Sequence, residues 1–552
     1  MTPPSSTSYI AAWLKSITEV DQIQWDALTQ PLDTPFLEWD WLRQMEISKS
    51  TTAETGWLPH HLTIWNTDRL VAAAPLYIKA HSAGEFVFDH AWADVARHLQ
   101  ISYYPKLVGM SPFTPMIGYR FLIAPEENED QLTRQMVTEI EHFCRQYGLS
   151  GCSFLFVDPE WRQKMIHYGF ISWLHQSFSW HNAEYQSFDD YLTRFNSNQR
   201  RNIKRERRSL ENQGVYLKTF AGHQIPPALL SEIYPFYERT NDKFGPWGCK
   251  YLKRPFFKGL VDGYRHRLLL VAAYKKTGPD SPVGLSLLVH KRDRLYGRYW
   301  GCSTEINYLH FNACYYSPIE WGIANGIKRF DPGMGGYHKI RRGFTAVGNY
   351  SLHRFFDERL EQIMEGIAAA EAAGFERLKI NTVVQKGVND HTVMDLLAHF
   401  RGTPHQVRLI EFMDVGNSNH WRLDDVISNA EWVRRIDRRW PIQPVDTHNP
   451  AETARRYHYR DGRGEIGFIS SISQPFCGGC TRARLTADGI FYTCLFSNHG
   501  TNLMPLIRRA ENPADLGRRI HAVWTGRKDR YSEERGHAAR QRRKVEMYRM
   551  GG

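Results

Sequence analysis

Apolar positions recur along this 552-residue chain with two different periods. Residues 61–64 and 70–78 are strand-like runs on either side of Asn66-Thr67-Asp68, a turn tripeptide. A helical period covers residues 132–147, and the apolar run 152–157 predicts a buried strand. Farther on, 268–274, 283–290 and 295–300 predict an antiparallel three-strand meander, with Thr277-Gly278-Pro279-Asp280 and Arg292-Asp293 at its turns. Residues 315–325 predict a helix and 328–331 a strand. Hairpin, helix and strand thus occur twice, which predicts two copies of one α+β unit.

The pattern changes near residue 357. Residues 358–373 are rich in Ala and Glu with apolar positions at helical spacing, and Gly374 stands where a C-cap glycine would. A strand at 378–384, a helix at 391–400 and a strand at 407–413 follow. Strand, helix, strand is the grammar of a parallel sheet.

Composition narrows the class. Hydrophobic residues make up 42% and charged residues 23%, which is a folded mixture and not a disordered one. No run approaches about 20 apolar residues, so no transmembrane helix is expected. The first residues lack a basic and an apolar leader region, so a cytoplasmic protein is expected. Eight Cys are too few for a disulfide framework in a chain of this length. The net charge of +11 permits anionic partners: nucleotides, nucleic acid or an anionic lipid surface. Basic residues cluster at 194–208 and 527–549. The run 194–208 is read either as a seat for tRNA or an anionic lipid-linked substrate, or as a solvated helix face. The last 30 or so residues, polar and basic, are expected to be partly mobile.

The sharpest chemical signal is Cys477-Gly-Gly-Cys480-Thr-Arg482-Ala-Arg484, with Cys494 following a short hairpin that has Asp488-Gly489 at its tip. Two thiolates in a tight Gly turn and a third returning from a hairpin can grip a soft metal centre. Three readings stay open: an iron–sulfur cluster, a zinc knuckle with His499 as fourth ligand, or inert thiols. Three thiolates without a clear fourth favour a cluster with one open iron. Arg482 and Arg484, on alternate residues of an expected strand, suit a triphosphate, or else form a solvated strand face.

Residues 358–552 resemble the C-terminal half of the GTP 3′,8-cyclases, radical-SAM enzymes of molybdenum-cofactor synthesis. The stretches that carry the resemblance include Lys379-Ile-Asn-Thr-Val-Val, Gly387-Val-Asn-Asp-His391, Ile410-Glu-Phe-Met-Asp-Val-Gly-Asn417, Phe476-Cys-Gly-Gly-Cys-Thr-Arg-Ala-Arg and the terminal Gly551-Gly552. The resemblance implies that Cys477, Cys480 and Cys494 hold an auxiliary [4Fe–4S] cluster that binds the guanine of GTP. It implies that Lys379, Arg482 and Arg484 contact GTP, and that Met413 lies at the S-adenosylmethionine site. It implies that the Gly-Gly tail reaches into the active site. One departure is large. The family's Cys-x3-Cys-x2-Cys motif for the radical-generating cluster is missing, since the upstream cysteines are Cys144, Cys152, Cys249, Cys302 and Cys314. S-adenosylmethionine is therefore a doubtful cofactor, and the chain alone is not expected to be a working cyclase.

Residues 25–356 resemble the bacterial peptidoglycan biosynthesis/recognition proteins, which are similar to FemAB-type peptidyltransferases with tandem GNAT-like domains. The stretches include Gly56-Trp-Leu-Pro-His60, Pro75-Leu-Tyr-Ile-Lys79, Tyr103-Tyr-Pro-Lys-Leu107, Leu295-Tyr-Gly-Arg-Tyr-Trp-Gly301, Cys314-Tyr-Tyr316 and His338-Lys339. The resemblance implies a transferase with an acyl-CoA or aminoacyl-tRNA donor. The loop Gly333-Met-Gly-Gly-Tyr-His338-Lys339 offers His338 as general base and Lys339 as anion clamp. His310 beside Tyr315 and Tyr316, and Asp89, are further polar candidates, each with a structural alternative. Gly335 and Tyr337 stand where the family favours Gln and Glu.

The expected architecture is α+β tandem GNAT-like domains followed by an α/β partial (βα) radical-SAM half-barrel with a C-terminal Fe–S cluster subdomain. The expected divisions are an extension at 1–24, GNAT-like domains at 25–190 and 191–356, the partial barrel at 357–450 and the cluster and GTP region at 451–552. Three functions follow from it. One is a FemAB/GNAT-like acyl- or aminoacyl-transferase with an appended cyclase fragment. Another is a molybdenum-cofactor protein that needs a separate chain to supply the radical cluster. The last is a gene-fusion relic in which only the N-terminal part works.

Overall fold

A computed structural model describes residues 9–87, 89, 92–93, 96, 100–243, 248–278, 281–334, 337–359, 361–362, 365–366, 375, 377–415, 421–446, 452–486, 488–508 and 513–535. The expected helix at 358–373 falls largely outside these residues, and Gly335 and the Gly551-Gly552 tail wholly so. The chain divides into two compact units, Met1–Gly374 and Phe375–Gly552. Among the described residues no helix is long and apolar enough to cross a membrane.

The described residues of unit 1 form fifteen strands. They are β1 (Tyr9–Leu14), β2 (Trp57–Pro59), β3 (His61–Asn66), β4 (Arg69–Ala74), β5 (Leu76–Lys79), β6 (Lys106–Gly109), β7 (Leu122–Ile123) and β8 (Gly151–Phe154), then β9 (Ile171–His181), β10 (Val215–Ala221), β11 (Leu268–Lys275), β12 (Gly284–Lys291), β13 (Arg294–Cys302), β14 (Arg329–Asp331) and β15 (Thr345–Phe355). A four-stranded sheet runs β1-β3-β4-β7, and an eleven-stranded sheet runs β10-β11-β12-β13-β14-β9-β15-β8-β6-β5-β2.

The expected meander is β11, β12 and β13, paired antiparallel. Strand β11 is buried from Leu268 through Tyr274. Leu268, Leu270 and Ala272 pack into one core cluster, and Leu269 and Val271 into another. Side chains alternate between the two faces of a strand, and both faces here are covered. An unbroken apolar run is the result. The expected strand at 70–78 is interrupted at Pro75, which lacks the N–H a ladder needs, and becomes β4 and β5.

Hairpin, helix and strand recur in order, as β3–β4, the helix Glu129–Gln146 and β8, then as β12–β13, the helix Ser317–Ala324 and β14, and the sheets interlock the two halves. Strand β15 pairs antiparallel with β9 over nine residues, from Thr345 opposite Ser179 to His353 opposite Ile171. It also pairs with β8, while β9 pairs with β14. The last strand of each half thus lies against a strand of the other half. Residue 190 lies inside the short helix Phe188–Leu192.

The basic run forms the helix Ser197–Asn212, capped by the Asn196 side chain, which accepts from the Gln199 N–H. Ile203, Glu206 and Leu210 are its buried side chains, whereas Arg201, Lys204, Arg205 and Arg208 are exposed.

Unit 2 begins with β16 (Lys379–Val384), β17 (Gln406–Glu411), β18 (Ile442–Pro444), β19 (Arg455–Tyr459) and β20 (Glu465–Ile469). Their order is β16-β17-β20-β19-β18. The first three are parallel and the rest antiparallel. The helix Val393–Phe400 connects β16 to β17, as the strand–helix–strand pattern predicts. A small sheet of β21 (Arg484–Leu485), β22 (Ile490–Tyr492) and β23 (Thr501–Asn502) follows.

Candidate functional sites

In unit 2 the buried carboxylate of Glu411, the last residue of β17, organises the approach to the thiols. It accepts the backbone N–H groups of Ile472 and Ser473, both at 2.8 Å, and that of Asn429 at 2.9 Å. This ties the segment leaving β20 to the end of β17, so Met413 and the chain leading to Cys477 meet. Cys477–Gly479 is a single 3-10 turn that turns the chain toward Cys480. The hairpin β21–β22 then returns Cys494. At its tip Gly489 has φ +79°, and a Cβ there would lie 2.2 Å from Met504 Cγ, so glycine is required twice over.

The outcome is a cavity of about 640 Å³ lined by Cys477, Cys480, Cys494, Arg482, Arg484 and Met413. Arg482 precedes β21 and does not share a strand with Arg484, yet both reach the same cavity. Burial pushes the Cys480 thiol up, but the backbone N–H and guanidinium of Arg482, with Arg527, outweigh it and leave its pKa lowered. Burial raises Cys494, and burial beside Arg482 lowers Arg484. Among the described residues no group of three or more His, Cys, Asp or Glu side chains forms a site for a metal ion. His499 does not line this cavity. Lys379 does not line it either. It is exposed at the start of β16, level with Gln406, whereas Met413 follows the far end of β17. At about 3.3 Å per residue, a whole strand length separates the two ends.

The described part of the basic segment, up to residue 535, makes specific contacts within unit 2. Arg527 donates to the Cys480 carbonyl, and Thr493 bonds Asp529. Tyr531 donates to Asp414 at 2.6 Å, and Arg535 donates to the same carboxylate at 2.9 Å. Tyr531 also stacks on Phe496 at 4.6 Å. Arg527 and Asp529 line the cavity, and the sequence reading missed both. Their signal was a Tyr within a run of alternating charges, which resembles an ordinary solvated tail.

In unit 1, β13 and β14 run parallel only from Arg294–Tyr296 against Arg329–Asp331 and then separate. A cleft of about 1030 Å³ lies where they part, lined by Gly297, Arg298, Trp300, His310, Cys314, Tyr315 and Gly333, among others. Tyr315 Oη lies 3.1 Å from His338 Nε2, and the His310 and His338 rings are 6.2 Å apart. Burial pulls His310 down to about 3, so its imidazole is neutral, and lifts the Cys314 thiol to about 12. Asp331 accepts the Gly333 N–H at 2.9 Å, and burial raises it to about 6 against the pull of that bond, Lys339 and Arg298.

Lys339 departs from its expected role as an anion clamp. It is 1% exposed, does not line the cleft, and donates to the Gly333 carbonyl at 2.5 Å. It shapes the loop. Asp89 lies elsewhere, in a buried ion-pair cluster with Lys106, to which Glu85 also pairs at 2.8 Å.

Known proteins match the two parts separately. A family model described as peptidoglycan biosynthesis/recognition, FemAB-like, matches residues 16–386. One described as molybdenum cofactor synthesis C matches residues 405–533. A GTP 3′,8-cyclase of Xanthomonas campestris pv. campestris (strain B100) is 50% identical over 193 residues, 35% of this chain and 56% of that protein. A GTP 3′,8-cyclase of Synechococcus sp. (strain CC9605) is 48% identical over 200 residues, 35% of this chain and 56% of that protein. The chain spans about half the length of these curated relatives. Among solved structures, FemX is 10% identical with a TM-score of 0.40, over 64% of this chain and 100% of that one.

Proposed function

The chain belongs, through residues 16–386, to the FemAB-like family of peptidoglycan biosynthesis/recognition proteins, and from that premise we propose a fused protein with two working sites. Unit 1 is an acyl- or aminoacyl-transferase of tandem GNAT-like fold, with the β13–β14 cleft as its site. Unit 2 is a GTP-binding module built around a [4Fe–4S] cluster on Cys477, Cys480 and Cys494. The observation that supports this most directly is the convergence of three thiols and two arginines on one cavity.

The donor set fits such a cluster. Three cysteines line one cavity, and three thiolates without a fourth protein ligand suit a cluster with one open iron. When bound, the cluster would supply an open iron to a nitrogen or oxygen of the purine. The chain's own residues do the rest. Arg482 and Arg484 pair with the triphosphate, and Arg482 holds Cys480 toward its thiolate form. Asp414, clamped by Tyr531 and Arg535, holds the basic segment in place beside the cavity. Met413 lines the same cavity, where the family resemblance sets S-adenosylmethionine. Lys379 requires a movement of the chain to reach GTP. The cysteines of a radical-generating cluster are not in this sequence, so cyclisation requires a second chain that supplies them.

In unit 1, His338 is the general base, oriented by Tyr315, and the neutral His310 beside them accepts or donates a hydrogen bond without adding charge. Lys339 and Asp331 fix the loop that carries His338.

Purification without oxygen followed by iron and zinc analysis and a GTP titration tests the unit 2 reading. About four irons per chain and saturable GTP binding are expected. No iron, or one zinc, would make unit 2 a relic of a fusion and leave function to unit 1. Titrations with an acyl-CoA and with an aminoacyl-tRNA test unit 1, and binding of neither would refute the transferase.

A further inference from the structure

The unit 1 cleft has an unusual charge balance. Among the described residues that line it, Arg298 is the one charged side chain. Among the described residues no carboxylate lines the cleft; the buried Asp331, next to the lining residues Pro332 and Gly333, is the acid that Arg298 acts on, and burial keeps His310 neutral. Arg298 is held in place: its Nη2 donates to the Phe113 carbonyl at 2.7 Å and to the Tyr299 hydroxyl at 2.9 Å. Its Nε–H, by contrast, is buried without an acceptor. That N–H is sealed off from the cleft, so what Arg298 presents to a ligand is its charge and its Nη1 donors.

The walls are aromatic. Phe113 and Tyr251 stack at 5.1 Å with 12° between their planes. Phe86, Tyr299 and Trp300 line the same space. Such walls take a planar or apolar body by stacking and edge contacts. Gly333 and Gly297 both line the cleft; φ at Gly333 is +81° and a Cβ there would lie 3.3 Å from the Gly297 carbonyl oxygen, so the two backbones approach closely.

We propose that this cleft binds a carboxylate with an aromatic body, such as an N-acylated aromatic amino acid, with Arg298 pairing the carboxylate and the Phe113–Tyr251 stack covering the ring. With both Nη2 hydrogens already donated, Arg298 offers the cleft its single positive charge and its Nη1 donors, which suits one oxygen of a monoanion, whereas a phosphate dianion calls for more charge than one guanidinium supplies. The proposal names the substrate class of the cleft and so rests on the transferase reading for what is done with the ligand. The binding itself stands on the cleft alone.

Calorimetric titration of the full chain with N-acetyl-L-phenylalanine, N-acetyl-L-phenylalaninamide and phenyl phosphate tests it. The acid is expected to bind about tenfold or more tightly than the amide, and more tightly than the phosphate. Arg298→Gln is expected to erase the preference of acid over amide, and Arg298→Lys to retain part of it. Tyr251→Ala is expected to weaken acid and amide equally. Thermal melts show whether each variant is folded, and the acid–amide comparison on the unaltered protein needs no variant. Equal binding of acid and amide, tighter binding of phenyl phosphate, no binding of any probe, or an unchanged preference in folded Arg298→Gln would each overturn the proposal. Binding of the acid without any group transfer from acyl-CoA or aminoacyl-tRNA would instead count against the transferase reading and leave the site standing.

Discussion

Glu206 and Arg342 form a buried ion pair, with the Arg342 Nη2 3.0 Å from both carboxylate oxygens. Glu206 is the buried acid of a helix whose exposed side chains include Arg201, Lys204, Arg205 and Arg208. Tyr316 donates to the same carboxylate. Arg342 ends the 3-10 turn Tyr337–Arg342 that carries His338 and Lys339, and its guanidinium lies 3.3 Å from the centre of the Phe311 ring. The basic helix and the turn that bears the proposed base are thus locked together from within.

Breaking that pair leaves a buried guanidinium uncompensated. Glu206→Ala is expected to cost about 3–5 kcal/mol of stability by urea denaturation, and Glu206→Gln less. Exposed Arg205 on the same helix is the contrast: Arg205→Ala is expected to stay within about 0.5 kcal/mol. Equal effects of Glu206→Ala and Arg205→Ala would show that the pair is not a structural tie.

The thiols of unit 2 are tested one at a time. Cys480→Ala and Cys494→Ala are each expected to reduce iron well below about four per chain after anaerobic reconstitution. Cys314→Ala, in the other unit, is expected to leave iron unchanged. Iron retained by both unit 2 variants would rule out the proposed ligand set.

Arg482→Ala and Arg484→Ala are each expected to weaken GTP binding about tenfold or more, by loss of charge-assisted hydrogen bonds. Guanosine, which lacks phosphates, is expected to bind the variants as it binds the unaltered chain. Weakening should shrink as salt is raised, because screening reduces the ion-pair contribution in both proteins. A matched loss for guanosine would place the arginines on the base and not on the phosphates.

Lys79 carries a pH prediction. Its side chain is 0% exposed, its amine lies 3.7 Å from the centre of the Trp57 ring, and burial lowers its pKa from 10.5 to about 7, against the pull of Glu85. Between those two values the unfolded chain holds a proton that the native protein has released. Native stability therefore rises as pH goes from about 7 to about 10 and carries the full burial penalty below that window. Lys79→Met removes the titration. Its stability relative to the unaltered protein is expected to be highest near pH 7 and to decline toward pH 10 by on the order of 1–3 kcal/mol. A difference that is flat across this range in urea denaturation would refute the shift.

Much of the local structure was legible in the chain. The β11–β13 meander reads directly because β11 is apolar from Leu268 to Tyr274, β12 is mainly apolar, and Arg292-Asp293 turns between β12 and β13, with Arg292 at φ 51°. The hairpin before Cys494 reads from Asp488-Gly489 for the same reason. The exchange of β9 and β15 between the halves does not read at all. Ile171 and His353 are opposite one another in the sheet yet far apart in the chain, and nothing local records which strand lies beside which. The contacts of residues 527–535 do not read either, because their composition is that of a solvated tail while Tyr531 and Arg535 share a partner in Asp414.

The sequence by itself determined the two-part build, the order of strands and helices, and the spacing of three thiols with two arginines. Those features depend on near neighbours: side chains repeat every two or 3.6 residues, and turns need particular residues at particular places. Only the tertiary structure decided which charged groups reach a cavity. It put Arg298 in the cleft and buried Lys339 behind it, brought Arg527 to the thiols, and left Lys379 at the other end of its sheet. The reason is that burial and charge pairing depend on residues distant in sequence, so a lysine reads the same in the chain whether its amine meets a ligand or a backbone carbonyl.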